Sequence, residues 1–194
     1  MAEKKSVNEI LGGYASDLLE LQRHIMDMLK DQAEEEYVAR YPAAQQLVTR
    51  AQDTVLRHIN DLEGALESLD EDGSSWLKKA MGATAKSVMG MVAGDSGSEE
   101  CSKVLRNIYV AGDAAALGSL MLYTTAAGFK TPRIEEMSAR HFDELAILAR
   151  ETWELIPEIV INEFADEGYA VDRSVIDEVN QRVQQTWAQR AAMS

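Results

Sequence analysis

Apolar residues recur every three or four positions along most of this chain, and that spacing is typical of amphipathic helices. A first helix is predicted over about 6–35, because the apolar residues between Val7 and Leu29 fall on one stripe. The opening "SVNE" predicts a capping box, in which Ser6 and Glu9 satisfy each other's backbone amides.

A second helix is predicted from Pro42, a residue favoured in the first helical turn, to about Leu69. Its apolar stripe carries one polar side chain, His58. The Met-rich segment at 76–93 then predicts one or two connecting helices.

A third helix is predicted over 107–129, where Asp113 is the single charged residue. A helix that is apolar all round is either buried or transmembrane. Ala, Gly, Ser and Thr dilute the hydrophobicity of this one, and an aspartate is costly near the centre of a bilayer. We therefore expect a central buried helix.

A fourth helix is predicted to begin at Thr131 and Pro132, and we expect a kink or a stop at Pro157. A last, amphipathic helix is predicted over about 173–191. One side of it could dock into a partner protein, through Ile176, Val179, Val183 and Trp187.

These elements predict an all-α protein, because strand-type alternation is nearly absent. Two long helical hairpins joined by a crossover of about 30 residues form a ferritin-like four-helix bundle with a long helical crossover between its second and third helices. We assign 1–168 to the bundle and 169–194 to an appended C-terminal helix.

Charge and cysteine content narrow the classes of function. The net charge of −14 opposes binding to nucleic acid or to an anionic membrane surface. One cysteine, Cys101, allows no internal disulfide and gives no zinc pattern. The start of the chain has no apolar stretch typical of a secretory signal, so we expect a cytoplasmic protein.

A ferritin-like di-metal site needs inward carboxylates and histidines in the middle of the helices. The candidate metal ligands are Asp113, Glu144, His58 and His141. For Asp113 we favour a different role, a buried carboxylate paired with His58, because an unpaired buried charge is costly. We interpret His141 and Glu144, three residues apart, as polar residues on the wet side of an ordinary helix.

Five segments in order resemble the YciE/YciF-type ferritin-like family of bacterial stress proteins, over about 7–160. In the first helix the segment is "DLLELQRHI", and in the second it is "DTVLRHINDLE". The crossover "KKAMGATAKSVMG", the third-helix "GDAAALGSL" and the fourth-helix "FDELAIL" complete the set. The resemblance implies a ferritin-like fold, a homodimer and a stress-related role.

The resemblance also implies where a di-metal site would lie. Asp113 and Glu144 fall on carboxylate positions of the family. Gln22 falls on a metal-binding glutamate, Leu148 falls on a second ligand of the fourth helix, and Thr54 lies near a ligand position of the second helix. We therefore expect a non-catalytic or weakly metal-binding bundle without a cofactor.

Two alternatives stay open. One is a di-iron or di-manganese oxidase or peroxidase that uses the four candidate ligands and Glu20. The other is an adaptor that binds a partner through the C-terminal helix.

Overall fold

The computed structural model describes residues 5–69 and 100–192. Within them the chain is all-α, as predicted, and forms six helices without a strand. The helices are α1 Val7–Ala33, α2 Glu36–Ala39, α3 Pro42–Leu69, α4 Cys101–Phe129, α5 Pro132–Asp166 and α6 Val175–Ala192. The connecting helix or helices predicted at 76–93 lie outside the described residues.

Local sequence signals set most helix ends. Ser6 Oγ accepts from the Glu9 amide at 3.1 Å and Glu9 accepts from the Ser6 amide at 2.7 Å, which confirms the capping box. Helix α3 begins at Pro42, as predicted. Lys130 ends α4 in the left-handed conformation, with φ 58°, and its amide bonds back to the last carbonyls of the helix.

The four long helices pack as antiparallel neighbours around one apolar core. The closest pairs are α4 with α5 and α1 with α3, and further contacts join α1 to α4 and α3 to α5. A Cβ added at Gly118 would lie 3.0 Å from Leu18 Cδ1, so α4 and α1 approach closely there. Arg50 and Glu151 join the outer edges of α3 and α5 at 3.0 Å.

The connection between α3 and α4 joins opposite ends of the molecule. The Asn8 side chain donates to the Leu69 carbonyl at 3.4 Å, so α3 ends beside the start of α1. The Ser102 amide donates to Glu163 at 2.9 Å, so α4 begins beside the end of α5. At 1.5 Å per residue these two ends are separated by the length of a helix, about 40 Å.

The structure differs from the predictions about the helices at two places. Helix α5 does not stop at Pro157 but continues to Asp166, because packing on both sides of the proline, at Thr152 and Ile159, offsets one lost backbone hydrogen bond. Helix α4 is not buried all round: Leu117 is 59% exposed and Met121 is 46% exposed. Each helix of a four-helix bundle turns only part of its circumference towards the core.

The last helix, α6, contacts α5 among the described helices. Val179 is 43% exposed on it, whereas Ile176 and Val183 are partly buried. The side chain of Trp187 lies outside the described part of the chain, and the binding of a partner to this helix stays a prediction. In the described ranges we find no helix with the length and apolar content that a membrane crossing requires.

Candidate functional site

Two buried histidines stack against each other where α3 meets α5. His58 and His141 each expose 0% of their surface. Their ring centroids are 3.8 Å apart and the ring planes differ by 18°. Stacking at this distance brings two titratable rings into contact, so a positive charge on one ring opposes protonation of the other.

Each histidine is held by a carboxylate from the opposite helix. His58 Nε2 on α3 lies 2.8 Å from Glu144 Oε2 on α5, and His141 Nε2 on α5 lies 3.0 Å from Asp61 Oδ2 on α3. Because a carboxylate accepts, both Nε2 atoms carry the proton. The arrangement is reciprocal: each helix supplies a histidine and, three residues later, the carboxylate for the histidine of the other helix.

Two arginines complete the reciprocal arrangement. Arg57 donates to Glu144 Oε2 at 3.1 Å, and Arg140 donates to Asp61 Oδ2 at 2.8 Å. Each carboxylate thus receives one imidazole and one guanidinium, and each negative charge is matched by one positive charge. With Gln22 from α1 these residues form the paired-histidine cluster: Gln22, Arg57, His58, Asp61, Arg140, His141 and Glu144.

Gln22 joins α1 to the cluster. Its side-chain amide lies 3.4 Å from His58 Nδ1, so it donates to the ring nitrogen that carries no proton. Two buried atoms of the cluster, Gln22 Oε1 and His141 Nδ1, have no hydrogen-bond partner within the described structure. The hydrogen-bonding groups of the cluster are therefore all paired on the side of the carboxylates, whereas two of them are left unpaired towards the interior.

Burial and neighbouring charges shift the pKa values of the cluster. Burial, reinforced by His141, lowers the pKa of His58 to about 4, although Glu144 opposes this. Burial also lowers the pKa of His141, against the effect of Asp61. The pKa of Glu144 would be raised by burial but ends below its ordinary value, because His58 and Arg57 donate to it. Both histidines are thus neutral at pH 7 beside ionised carboxylates.

The predicted pairing of Asp113 with His58 was wrong. Asp113 is exposed on α4, on the side turned away from the core, and the partners of His58 are Glu144 and Gln22. The side of this helix that faces the core could not be predicted from its sequence, because apolar and small residues cover every face. Buried residues such as Ala111 and Ala115 fix the inward direction, and Asp113 lies outside it.

Replacing Asp113 with alanine should therefore change the free energy of unfolding by less than about 0.5 kcal/mol, as is usual for exposed positions. Urea unfolding of the variant and the wild type would measure it. A loss of about 2 kcal/mol or more would mean that this carboxylate is buried and paired after all.

The interpretation of His141 as a residue on the wet side of its helix was also wrong, since its side chain is fully buried. Sequence reasoning missed Asp61, Arg57 and Arg140 altogether. A signal was present: the pattern Arg-His-x-x-acid occurs three times, as "RHIMD", "RHIND" and "RHFDE". The first copy lies on α1 outside the cluster, where the side chain of His24 is 42% exposed, so the pattern alone does not identify the site.

The cluster is a poor fit to the predicted metal centre. It brings together three of the four predicted ligands, Glu144, His58 and His141, and leaves out Asp113. Both Nε2 atoms donate to carboxylates that arginines already neutralise, and His58 Nδ1 accepts from Gln22. The one imidazole lone pair left without a partner is on His141 Nδ1, and one such nitrogen does not make a metal site. Across residues 5–69 and 100–192, no three His, Cys, Asp or Glu side chains are grouped so that they could hold a metal ion.

Comparison of the chain with models of protein families, with curated proteins and with solved structures found no match.

Proposed function

We propose that this protein is a non-catalytic, ferritin-like four-helix bundle, in which the paired-histidine cluster joins the helices at the level where a ferritin-like protein holds its metals. One observation carries the proposal. Arg57 and Arg140 lie on Glu144 and Asp61 and supply the positive charge that metal ions would otherwise bring. A site that balances its own charge has no need of a cation.

The helix arrangement supports the ferritin-like assignment. The long helices are antiparallel to their neighbours, and the connection from α3 to α4 joins opposite ends of the molecule. A four-helix bundle with one long crossover has this topology, and in ferritin-like proteins the metals lie between the helices at mid-height. Gln22, His58 and His141 come from three different helices and meet in the interior.

The chemistry of the cluster supports a structural role over a catalytic one. A general base must reach its substrate, but both imidazoles are fully buried and their protons are directed at carboxylates within the protein. Because both imidazoles are bound to carboxylates of the protein itself, we propose that the protein binds partners at its surface and does not catalyse a reaction in its interior. The resemblance to stress proteins suggests the setting for that role.

Metal analysis of the purified protein tests the proposal. We expect well below one metal ion per chain after incubation with iron(II) or manganese(II) and removal of the excess, because the ligands are engaged by arginines. The alternative, a di-iron or di-manganese oxidase or peroxidase, requires about two ions per chain.

Two variants make the measurement decisive. If about two ions were bound, they should be lost in Glu144→Gln and retained in Asp113→Ala, because only the first residue belongs to the cluster. That result would overturn the proposal. Metal content equally low in the wild type and both variants would support it.

A further inference from the structure

Two buried hydrogen-bond acceptors of the paired-histidine cluster face the interior of the bundle without a donor. They are Gln22 Oε1 on α1 and His141 Nδ1 on α5, and neither has a partner among the residues that the structure describes. Both side chains expose 0% of their surface, so bulk solvent does not reach them. A buried polar atom without a partner is costly, and two in one cluster point to a molecule that satisfies both.

The hydrogen bonds of the cluster fix both atoms as acceptors. His141 Nε2 donates to Asp61, so the neutral ring carries no proton on Nδ1. His58 Nε2 donates to Glu144 in the same way, so His58 Nδ1 accepts and the Gln22 amide turns its NH2 group towards it. The carbonyl oxygen of Gln22 is thereby directed elsewhere. Because two acceptors cannot pair with each other, a molecule that satisfies both must donate twice.

The two acceptors belong to groups that contact the same imidazole. Gln22 Nε2 is 3.4 Å from His58 Nδ1, and the ring of His141 stacks on the ring of His58 with the centroids 3.8 Å apart. A single water joins two acceptors separated by up to about 6 Å, because each hydrogen bond spans about 2.9 Å. One small molecule beside the two rings therefore suffices for both bonds.

Helix α4 leaves room at this level of the core. It packs against both α1 and α5. Ser119 lies ten residues before the end of α4 and His141 nine residues after the start of α5, so both are about 14–15 Å from the turn that joins the two helices. The buried residues of α4 here are small, namely Ala115, Ala116 and Ser119. Their short side chains leave space at the centre of the bundle that a leucine would fill.

We infer that one water molecule is bound in the interior of the bundle, where it donates to both Gln22 Oε1 and His141 Nδ1. It completes a hydrogen-bonded chain from Glu144 through His58, Gln22, the water and His141 to Asp61. Helices α1 and α5 each pack against α3 and α4 and so face each other diagonally, and the water joins them across the core. Buried waters in proteins bind in this way to polar groups that lack other partners.

The charge of the cluster favours water over a cation, the other class of ligand that acceptors bind. Arg57 lies on Glu144 and Arg140 lies on Asp61, so the negative charges of both carboxylates are already matched. A cation at two neutral acceptors would be buried without a counter-charge, which is costly. Water is the smallest neutral molecule with two donors. The inference goes beyond the proposed function, which assigns no ligand to the interior.

Nitrogen NMR of the full chain at pH 7 tests the inference, because a hydrogen bond shifts the resonance of an unprotonated imidazole nitrogen away from that of a free one. The Nδ1 atoms of His58 and His141 should both resonate as hydrogen-bonded acceptors, the first through Gln22 and the second through the water. In Gln22→Met both resonances should move towards the value of a free nitrogen, since the water loses one of its two acceptors.

Ser16→Ala is the matched control. Ser16 is another buried polar residue of α1, but it lies outside the cluster. Its replacement should leave the resonances of both histidines unchanged. A shift of His141 Nδ1 in Gln22→Met alone would show that the two residues are joined, although they make no direct hydrogen bond.

A crystal structure of the full chain, at a resolution that shows ordered waters, gives an independent measurement. We expect one isolated peak of electron density within about 3.2 Å of both Gln22 Oε1 and His141 Nδ1, without anomalous scattering from a metal. If Gln22→Met does not fold, this peak and the wild-type resonance of His141 decide.

Three results would overturn the inference and leave the proposed function standing. They are no density at this position, a free-nitrogen resonance for His141 Nδ1 in the wild type, and a Gln22→Met variant in which only the His58 resonance moves. A peak with the anomalous scattering of a metal would overturn both the inference and the proposed function.

Discussion

Replacing His58 with alanine should lower the free energy of unfolding by about 3 kcal/mol, the largest effect that we expect from a single substitution. The imidazole is fully buried, so its removal leaves a cavity beside His141. It also leaves the buried amide of Gln22 without its acceptor and removes one of the donors to Glu144. An unmade buried hydrogen bond costs about 1–3 kcal/mol by itself.

Urea unfolding at pH 7, followed by circular dichroism, measures this loss. His24→Ala is the matched control. Like His58, His24 follows an arginine and has an acid three residues later, but it lies outside the cluster and its side chain is 42% exposed. We expect His24→Ala to cost less than about 0.5 kcal/mol. Equal losses in the two variants would show that the paired-histidine cluster adds nothing specific to stability.

Acidification should destabilise the protein as the pH falls below about 6.5, before most carboxylates titrate. In the folded state the pKa of His58 is about 4, against an ordinary value of 6.5, because burial and the neighbouring His141 oppose a second charge. Between these two values the unfolded chain binds more protons than the folded chain. The free energy of unfolding therefore falls with falling pH across this window and is fully retained above it.

The histidine contribution is at most about 3 kcal/mol for His58, since each pKa unit corresponds to about 1.4 kcal/mol. The lowered pKa of His141 acts with the same sign. Below the window, Glu144 and Asp61 add a further loss, because their pKa values are also held below the ordinary ones and stability is lost when they are protonated.

Urea unfolding from about pH 7.5 to about pH 5 tests the prediction. The control is a double variant with glutamine at both histidines, His58→Gln and His141→Gln, which has no imidazole to titrate in the cluster. Its stability should vary much less over the same range. Because the wild type and the variant share their other acids, the comparison removes the general effect of the net charge of −14. Parallel pH profiles would contradict the assignment of the pH dependence to these two rings.

The reciprocal contacts also determine how α3 and α5 can pair. His58 with Glu144 and His141 with Asp61 are both satisfied in one antiparallel register. A shift of one helical turn would separate all four side chains and leave two buried imidazoles without acceptors. Apolar residues tolerate such shifts more readily, because one leucine contact resembles another. The cluster is thus suited to specify a single packing of the two helices.

The amino-acid sequence by itself determined the helices and many of their ends. Ser6 with Glu9 starts α1 and Pro42 starts α3, because capping and proline effects act within a few residues of the chain. The apolar stripe also located His58 in the core correctly, since one well-phased amphipathic helix shows its buried side without reference to its neighbours.

The tertiary structure alone decided which side of α4 faces the core and which residues are the partners of the histidines. In an evenly apolar helix no side is marked as the buried one by the sequence, so the exposure of Asp113 and Leu117 depends on which neighbours pack against α4. Asp61 and His141 are far apart in the chain, and what unites them is the antiparallel register of α3 and α5. Side-chain periodicity is a local property, whereas charge pairing and burial across helices depend on distances that exist only once the helices have packed.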